Sequence, residues 1–310
     1  MKSPQRILVA RGGAIGDFVL TLPVFQALRE RWPDAWIEVL GYPRIASLGT
    51  VSKHCDRITR VESPLFTPLF GIDGQIPGET RAFLSEFDLI LSYLHDPDRH
   101  FERRVQECTE ARFLRGTPLP SNTSTSHAAR VLLRPLSELG LTPNVIQPRI
   151  LCPTPASALP LSERYLVCHP GSGSPTKNWP LDHWLELIQW LLDEAPWRLA
   201  VVGGEADHAQ LARIRAVFSA DRVSLWEGLP LPELAVRLAQ AAGFIGHDSG
   251  ISHLAAAVGA PVRALWGWTN ADVWQPLGED VRLVHAPEGL AKLDTETVIQ
   301  EVGDLLHRAE

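Results

Sequence analysis

The stretch Ile7–Leu40, ILVARGGAIGDFVLTLPVFQALRERWPDAWIEVL, decides the fold class. Ile7–Ala10 is an unbroken apolar run that ends in an arginine and two glycines, as expected of a strand buried on both faces. From Asp17 to Arg31 the apolar positions Phe18, Leu22, Phe25 and Leu28 recur at helical spacing. Trp36–Leu40 is a second strand candidate. Strand, glycine turn, helix and strand in one short stretch make a βαβ unit, which implies a parallel sheet covered by helices.

The alternation continues outward. Arg57–Val61, Leu89–Leu91 and Arg112–Leu114 are weaker strand candidates, and Ser126–Leu139 reads as a helix stopped by Gly140. Prolines 143, 148, 153, 155 and 160 then mark a linker, because proline breaks both helix and central strand. Beyond it, strands are expected at Tyr165–His169, Arg198–Val202, Val223–Leu225, Gly243–Gly246 and Val262–Leu265. Helices are expected near 181–194, 205–219, 231–242 and 250–258, with Thr295–Ala309 as a closing amphipathic helix. The pattern predicts an α/β chain of two Rossmann-like parallel-sheet domains facing across a cleft. Their expected extents are 1–150 and 151–293, followed by a closing segment 294–310. Ligands should gather at the carboxyl ends of the strands.

Composition narrows the classes. The 310 residues are 45% apolar and 21% charged, ordinary globular values that exclude a disordered or fibrous chain. Lys plus Arg is 29 against 36 Asp plus Glu, a net of −7, which disfavours a nucleic-acid binder. Residues 1–150 carry 18 basic and 16 acidic side chains, whereas residues 151–310 carry 11 and 20, so the halves are expected to have different duties. Cys55, Cys108, Cys152 and Cys168 form no C-x-x-C pair, which argues against a zinc site or disulfide framework and suits a reducing cytoplasm. The opening MKSPQRILVARGG has too short an apolar run for a signal-peptide core, and no stretch has the ~20 apolar residues of a membrane span.

Four loops can carry chemistry. In Arg11–Asp17, RGGAIGD, glycines let backbone approach a ligand at a helix start. Asp17 is either a first-turn acid that complements the helix dipole or a carboxylate placed to take a proton from a hydroxyl. His169–Pro180, HPGSGSPTKNWP, offers Ser172, Gly173 and Ser174 as donors and Lys177 as a cation, a phosphate cradle that is not a Walker A loop. Val201–Leu211 places Glu205 at a strand end, either as a helix-start acid or as a ligand for ribose hydroxyls. In Gly246–Pro261, Asp248, Ser249 and Gly250 stand where a helix begins, with His253 one turn on. Asp248 there could be a helix cap alone, and His253 a core histidine.

Other constellations lack their context. No loop spells the G-x-S-x-G of a serine hydrolase, and Asp96–Pro97–Asp98 sits among His95, Arg99 and His100 in a solvated loop, so no metal is assigned. Gly13, Gly16 and Glu38 form an incomplete dinucleotide fingerprint, which keeps an NAD-dependent oxidoreductase as an alternative.

Taken in order, RGGAIGDFVLTLPVFQALRERWPDA, HPGSGSPTKNWPLDHW, VVGGEADH and GHDSGISHLAAAVGAP followed by LWGWTNADVWQP resemble glycosyltransferase family 9, the lipopolysaccharide heptosyltransferases. The combination of G-D-x-x-L-T-x-P with D-S-G-x-x-H-L-A-A carries the resemblance, which is weak between about 44 and 130. It implies a glycosyltransferase B architecture with the acceptor on the first domain, the nucleotide sugar on the second, and the last helix crossing back. It implies inverting transfer of heptose from ADP-heptose to an anionic inner-core glycolipid, without metal or other cofactor, in the cytoplasm at the inner membrane surface. By position, Asp17 becomes the general base, and Lys177 with Ser172, Gly173 and Ser174 faces the diphosphate. Glu205 would hold the ribose and Asp248 the sugar hydroxyls. Gly16, Ser249, Gly250 and His253 would complete the donor pocket. Arg11, Arg99, Arg103 and Arg104, with Arg112 and Arg115, become candidates for the acceptor's anionic groups. Where many relatives read aromatic-Gly-Pro-Thr, this chain reads Trp266–Gly267–Trp268–Thr269, beside the expected donor pocket. A binding protein for nucleotide sugars without catalysis is the remaining alternative; the joint presence of Asp17, Lys177 and Asp248 speaks against it.

Overall fold

Ile7, Leu8, Val9 and Ala10 are wholly buried, so the strand that holds them must lie inside a sheet. The computed structural model of the chain describes residues 3–71, 74–152 and 164–307. It divides into two units, Met1–Pro148 and Arg149–Glu310. The prolines expected to mark the linker at 153, 155 and 160 lie outside the described residues.

The first unit holds β1 (Arg6–Arg11), β2 (Trp36–Gly41), β3 (Arg57–Arg60), β4 (Leu89–Ser92) and β5 (Arg112–Arg115). All pair in parallel in the order β3-β2-β1-β4-β5, with Ile7 opposite both Ile37 and Leu89. The apolar β1 takes the centre. The arginine-bearing β3 and β5 take the edges, where their side chains reach water. Helix Ile15–Arg31 is buried continuously from Phe18 to Phe25 and packs on helix Ala128–Leu133. A helix apolar all round belongs between layers. The expected helix Ser126–Leu139 is split: after Leu133 the chain tightens at Pro135 into a 3₁₀ turn that ends at Gly140 with φ 74°. Helices Pro43–Val51, Gly78–Ser85 and His100–Gln106 were not foreseen; each is short and buries two or three residues.

The second unit holds β6 (Tyr165–His169), β7 (Arg198–Gly203), β8 (Val223–Glu227), β9 (Gly243–His247), β10 (Val262–Trp266) and β11 (Val281–His285), again all parallel, in the order β11-β10-β9-β6-β7-β8. β11 escaped notice because it is an edge strand that buries only Val284. Helix Leu181–Glu194 buries Trp184, Leu187, Ile188 and Leu191, one stripe of a two-faced helix. The expected closing helix breaks at Gly303 into Thr295–Val302 and Asp304–His307, and residues 308–310 lie outside the described set. Val298, Val302 and Leu305 of that segment join the second unit's core. Arg263 of β10, wholly buried, clamps it there through Asp304 at 2.7 Å and holds Asp280 at 3.2 Å.

Each sheet has one place where the strand order reverses, between β1 and β4 and between β6 and β9. Loops leaving the carboxyl ends on either side of such a point run to opposite faces and leave a crevice. Arg11–Asp17 follows β1, the Ser172–Lys177 loop follows β6 and Asp248–Gly250 follows β9. Among the described residues no helix is long and apolar enough to cross a membrane.

Candidate active site

In the first unit the chain turns sharply after β1. Gly13 has φ +93°, and a Cβ there would sit 2.6 Å from Asp17 Oδ2, so only glycine lets the carboxylate fold back over the turn. The Ala14 N–H donates to Asp17 Oδ2 at 2.8 Å. This bond caps the helix start, beyond the dipole-complementing role weighed for Asp17, and it occupies one oxygen. The side chain remains 21% exposed, with Arg11 Nη2 at 3.8 Å from Oδ1.

Arg11 is not placed as an acceptor ligand. It is 3% exposed, with Nε donating to Thr21 Oγ1 at 2.9 Å, Nη1 to Pro118 O at 2.8 Å and Nη2 to the Asp17 carbonyl at 2.9 Å. Its guanidinium lies over the buried Tyr93 ring, and burial pulls its pKa down against the opposing pull of Asp17. The physical reason for the correction is direction: Arg11 ends a central strand and points into the layer under helix Ile15–Arg31. Arg104 is likewise committed to the fold, binding the carbonyls of Pro68 and Gly74 and pairing with Glu107 at 2.9 Å. Arg99 and Arg103 are exposed; Arg99 adopts φ 56° before helix His100–Gln106, and Arg103 meets His100 Nδ1 at 2.8 Å. Arg112 binds the Glu138 carbonyl at 2.6 Å, and Arg115 lies 3.9 Å from Glu102.

Glu38 removes the dinucleotide reading. A ribose-binding acid must stand at a strand's carboxyl end. Glu38 is instead the third residue of β2, wholly buried, bonded to Thr59 Oγ1 and to Trp36 Nε1 at 3.3 Å.

In the second unit two of the expected residues come together, Lys177 and Asp248. Lys177 Nζ lies 2.5 Å from Asp248 Oδ2, joining the loops after β6 and β9. Asp248 is free for this because it is not the helix cap; Ser249 is, its Oγ accepting from the Ser252 N–H at 3.4 Å. Helix Gly250–Ala257 starts beside the pair and carries a buried His253. Ser172 Oγ donates to the Ser174 carbonyl at 2.6 Å, folding the serine turn on itself next to exposed Gly173. Glu205 begins a 3₁₀ turn at the end of β7 and is exposed. The pocket bounded by Thr176, Lys177, Asp248, Gly267, Trp268 and Thr269 holds about 10 Å³, room for one water. A much larger hollow of about 830 Å³ opens elsewhere, by Ser3, Asp88 and Arg112 at the amino ends of the first sheet. It lies away from the strand ends where ligands collect in such sheets and bears none of the singled-out residues except Arg112.

Beneath these loops lies a buried polar set that sequence reading missed. The Trp179 N–H donates to His247 Nε2 at 2.9 Å. That nitrogen is therefore unprotonated, and Nδ1–H donates to the Gly171 carbonyl at 3.1 Å. One neutral imidazole thus ties both ends of the loop that holds Ser172–Lys177. His169 Nδ1 meets Ser249 Oγ at 3.3 Å, and its Nε2 lies 3.9 Å from the buried Asp207. Burial pushes His169 down to about 4 and His247 to about 3, so both are neutral near pH 7. Asp207 Oδ2 accepts from the Gly204 N–H at 2.8 Å, and a Cβ on Gly171 would meet Asp207 Oδ1 at 2.0 Å, which makes glycine obligatory there. β9 is buried at all five positions, so its place at the centre of the sheet, not any alternation, buries His247. Among the described residues no three His, Cys, Asp or Glu side chains gather as metal ligands.

The model of glycosyltransferase family 9 (heptosyltransferase) matches residues 147–302, half of the chain, and the chain belongs to that family. It is 23% identical to lipopolysaccharide heptosyltransferase 2 of Salmonella typhimurium, over 93% of this chain and 90% of that protein. It is 25% identical to lipopolysaccharide heptosyltransferase 3 of Escherichia coli, over 86% and 83%. Among solved structures it resembles the E. coli ADP-heptose LPS heptosyltransferase II, with a TM-score of 0.79, 18% identity and coverage of 98% and 99%. An E. coli heptosyltransferase solved with ADP gives 0.75, 20% identity and coverage of 97% and 99%. The fold is that of glycosyltransferase B, and the protein is a heptosyltransferase-like glycosyltransferase.

Proposed function

We propose that this enzyme transfers heptose, with inversion, from ADP-heptose to an inner-core sugar of lipopolysaccharide. The observation that carries the reading is the Lys177–Asp248 pair beside the helix start at Ser249, a cation and a carboxylate at the switch point of the second sheet. The names of the relatives agree with it.

In the reaction Asp17 takes the proton of the acceptor hydroxyl through Oδ1, since Oδ2 is held by Ala14. The freed oxygen attacks the anomeric carbon from the side opposite the diphosphate, at an approach of roughly 3–3.5 Å. The bond from that carbon to the diphosphate oxygen breaks, and its electron pair leaves as charge on ADP. Lys177, the N–H groups of the Ser172–Ser174 turn and those at Ser249–Gly250 hold that charge as it develops. Gly16 and His253 stay candidates for donor contacts. Asp248 accepts from sugar hydroxyls and Glu205 from the ribose. Arg99 and Arg103 stay candidates for the anionic acceptor, which would be met at the inner membrane surface. No resident metal or cofactor is assigned.

The test pairs binding with turnover. ADP at 100 times its dissociation constant should raise stability by about 2.7 kcal/mol, seen as a thermal shift that UDP and GDP do not match. Release of ADP from ADP-heptose should require a Kdo-bearing lipid A acceptor. A thermal shift with no product over a panel of acceptors would contradict the proposed transfer.

A further inference from the structure

Trp268 is 60% exposed, whereas Trp266, two residues earlier, is wholly buried. The Trp266 indole N–H donates to the Thr269 carbonyl at 2.7 Å and so closes the loop that carries Trp268. The turn is held from below while its second tryptophan stays in water. Exposing so large an apolar ring forgoes burial that would favour the fold, unless a ligand covers it.

Its neighbours say which ligand. Lys177 Nζ lies 5.8 Å from the Trp268 ring centroid and 2.5 Å from Asp248 Oδ2. The ammonium therefore sits between an aromatic face and a carboxylate, and the three side chains share a pocket of about 10 Å³. A carboxylate and an aromatic face across a small gap match the two chemical aspects of a sugar ring. Hydroxyls need an acceptor, and the C–H face, weakly positive, suits the negative face of an indole. A nucleobase fits less well, because it stands a full diphosphate and ribose away from the group bound at Asp248.

We propose that Trp268 is the platform on which the donor's glycosyl ring stacks, and thus a specificity-determining residue for the transferred sugar. This rests on the reading of Lys177 and Asp248 as donor ligands. Donor entry moves the Lys177 ammonium from Asp248 and the indole to the diphosphate. That exchange opens the space between carboxylate and ring for the sugar. Lys177 thus stays on Asp248, beside the indole, until a diphosphate arrives.

Calorimetry with ADP and with ADP-heptose, on wild type, Trp268→Ala and Trp268→Phe, tests this. The alanine variant should bind ADP-heptose about tenfold more weakly, with ADP affinity within about twofold of wild type. Phenylalanine should restore most of the loss. Equal weakening of both ligands would overturn the proposal, since the ring would then serve the nucleotide or merely hold the loop. Unchanged affinity for ADP-heptose would overturn it too. Should Trp268→Ala unfold early, Trp268→Gln replaces it with the same two expectations. If wild type binds neither ligand, the donor-site reading itself fails, which is visible without any variant.

Discussion

Two carboxylates stand at the switch points of the two sheets, and they are held in opposite ways. Asp17 is fixed by backbone: one oxygen accepts from Ala14, and its nearest cation, Arg11, is locked 3.8 Å away by bonds to Thr21, Pro118 and the Asp17 carbonyl. Among the described residues Asp248 is held by a side chain, the Lys177 ammonium at 2.5 Å on a flexible stem. A rigid cation that stops short of contact suits the base role proposed for Asp17. A cation in direct contact on a flexible stem suits the donor-ligand role proposed for Asp248, since a stronger anion can draw it away. On the proposed mechanism the difference separates a group that acts in place from one whose partner changes.

The sharpest break of this comparison is Asp17→Asn. Turnover should fall on the order of 10²–10⁴-fold while the ADP thermal shift persists. An amide that turns over like the wild type would mean Asp17 only caps its helix.

Lys177→Met should lower turnover by about 10²–10³-fold, because a fixed charge on the leaving group is lost. Unlike the change at Asp17, it should also weaken ADP in calorimetry. Loss of turnover at constant ADP affinity would refute the partner exchange drawn for Lys177.

A smaller effect is expected under the loops. His247→Phe leaves the Gly171 carbonyl and Trp179 N–H unbonded and should destabilise the second unit by about 1–3 kcal/mol in urea unfolding. His247→Asn, which keeps a donor and an acceptor, should recover part of this.

The mildest test is acidity. The folded imidazoles of His169 and His247 sit near 4 and 3, below the unfolded value of 6.5. The unfolded chain therefore binds more protons in that window. Their contribution is complete above pH 6.5 and is lost as the pH falls toward 4 for His169 and toward 3 for His247, at no more than about 1.4 kcal/mol per imidazole per pH unit. Melting temperatures from pH 7.5 to 5 should decline more steeply in the wild type than in a His169→Asn, His247→Asn double variant.

Much of the fold was legible because its signals are local. Apolar runs such as Ile7–Ala10 and Tyr165–His169 must be central strands, and the stripe in Leu181–Glu194 must be a helix lying on them. Glycines at strand ends marked the loops, and Asp17, Lys177 and Asp248 stood out as charges there. Edge strand β11, with one buried residue, carries almost no such signal. Nor could periodicity decide that Ser249 rather than Asp248 caps its helix, a choice made by one side-chain bond.

The amino-acid order by itself determined the alternation of strand and helix, the two parallel sheets and the positions of the chemically able loops, because each follows from burial along a few neighbouring residues. Only the tertiary structure decided that Arg11 turns inward, that Asp207, His169 and His247 meet beneath the second unit's loops, and that Lys177 reaches Asp248. Those pairings join residues far apart in the chain, and strand order, which no local pattern encodes, is what brings them within bonding distance.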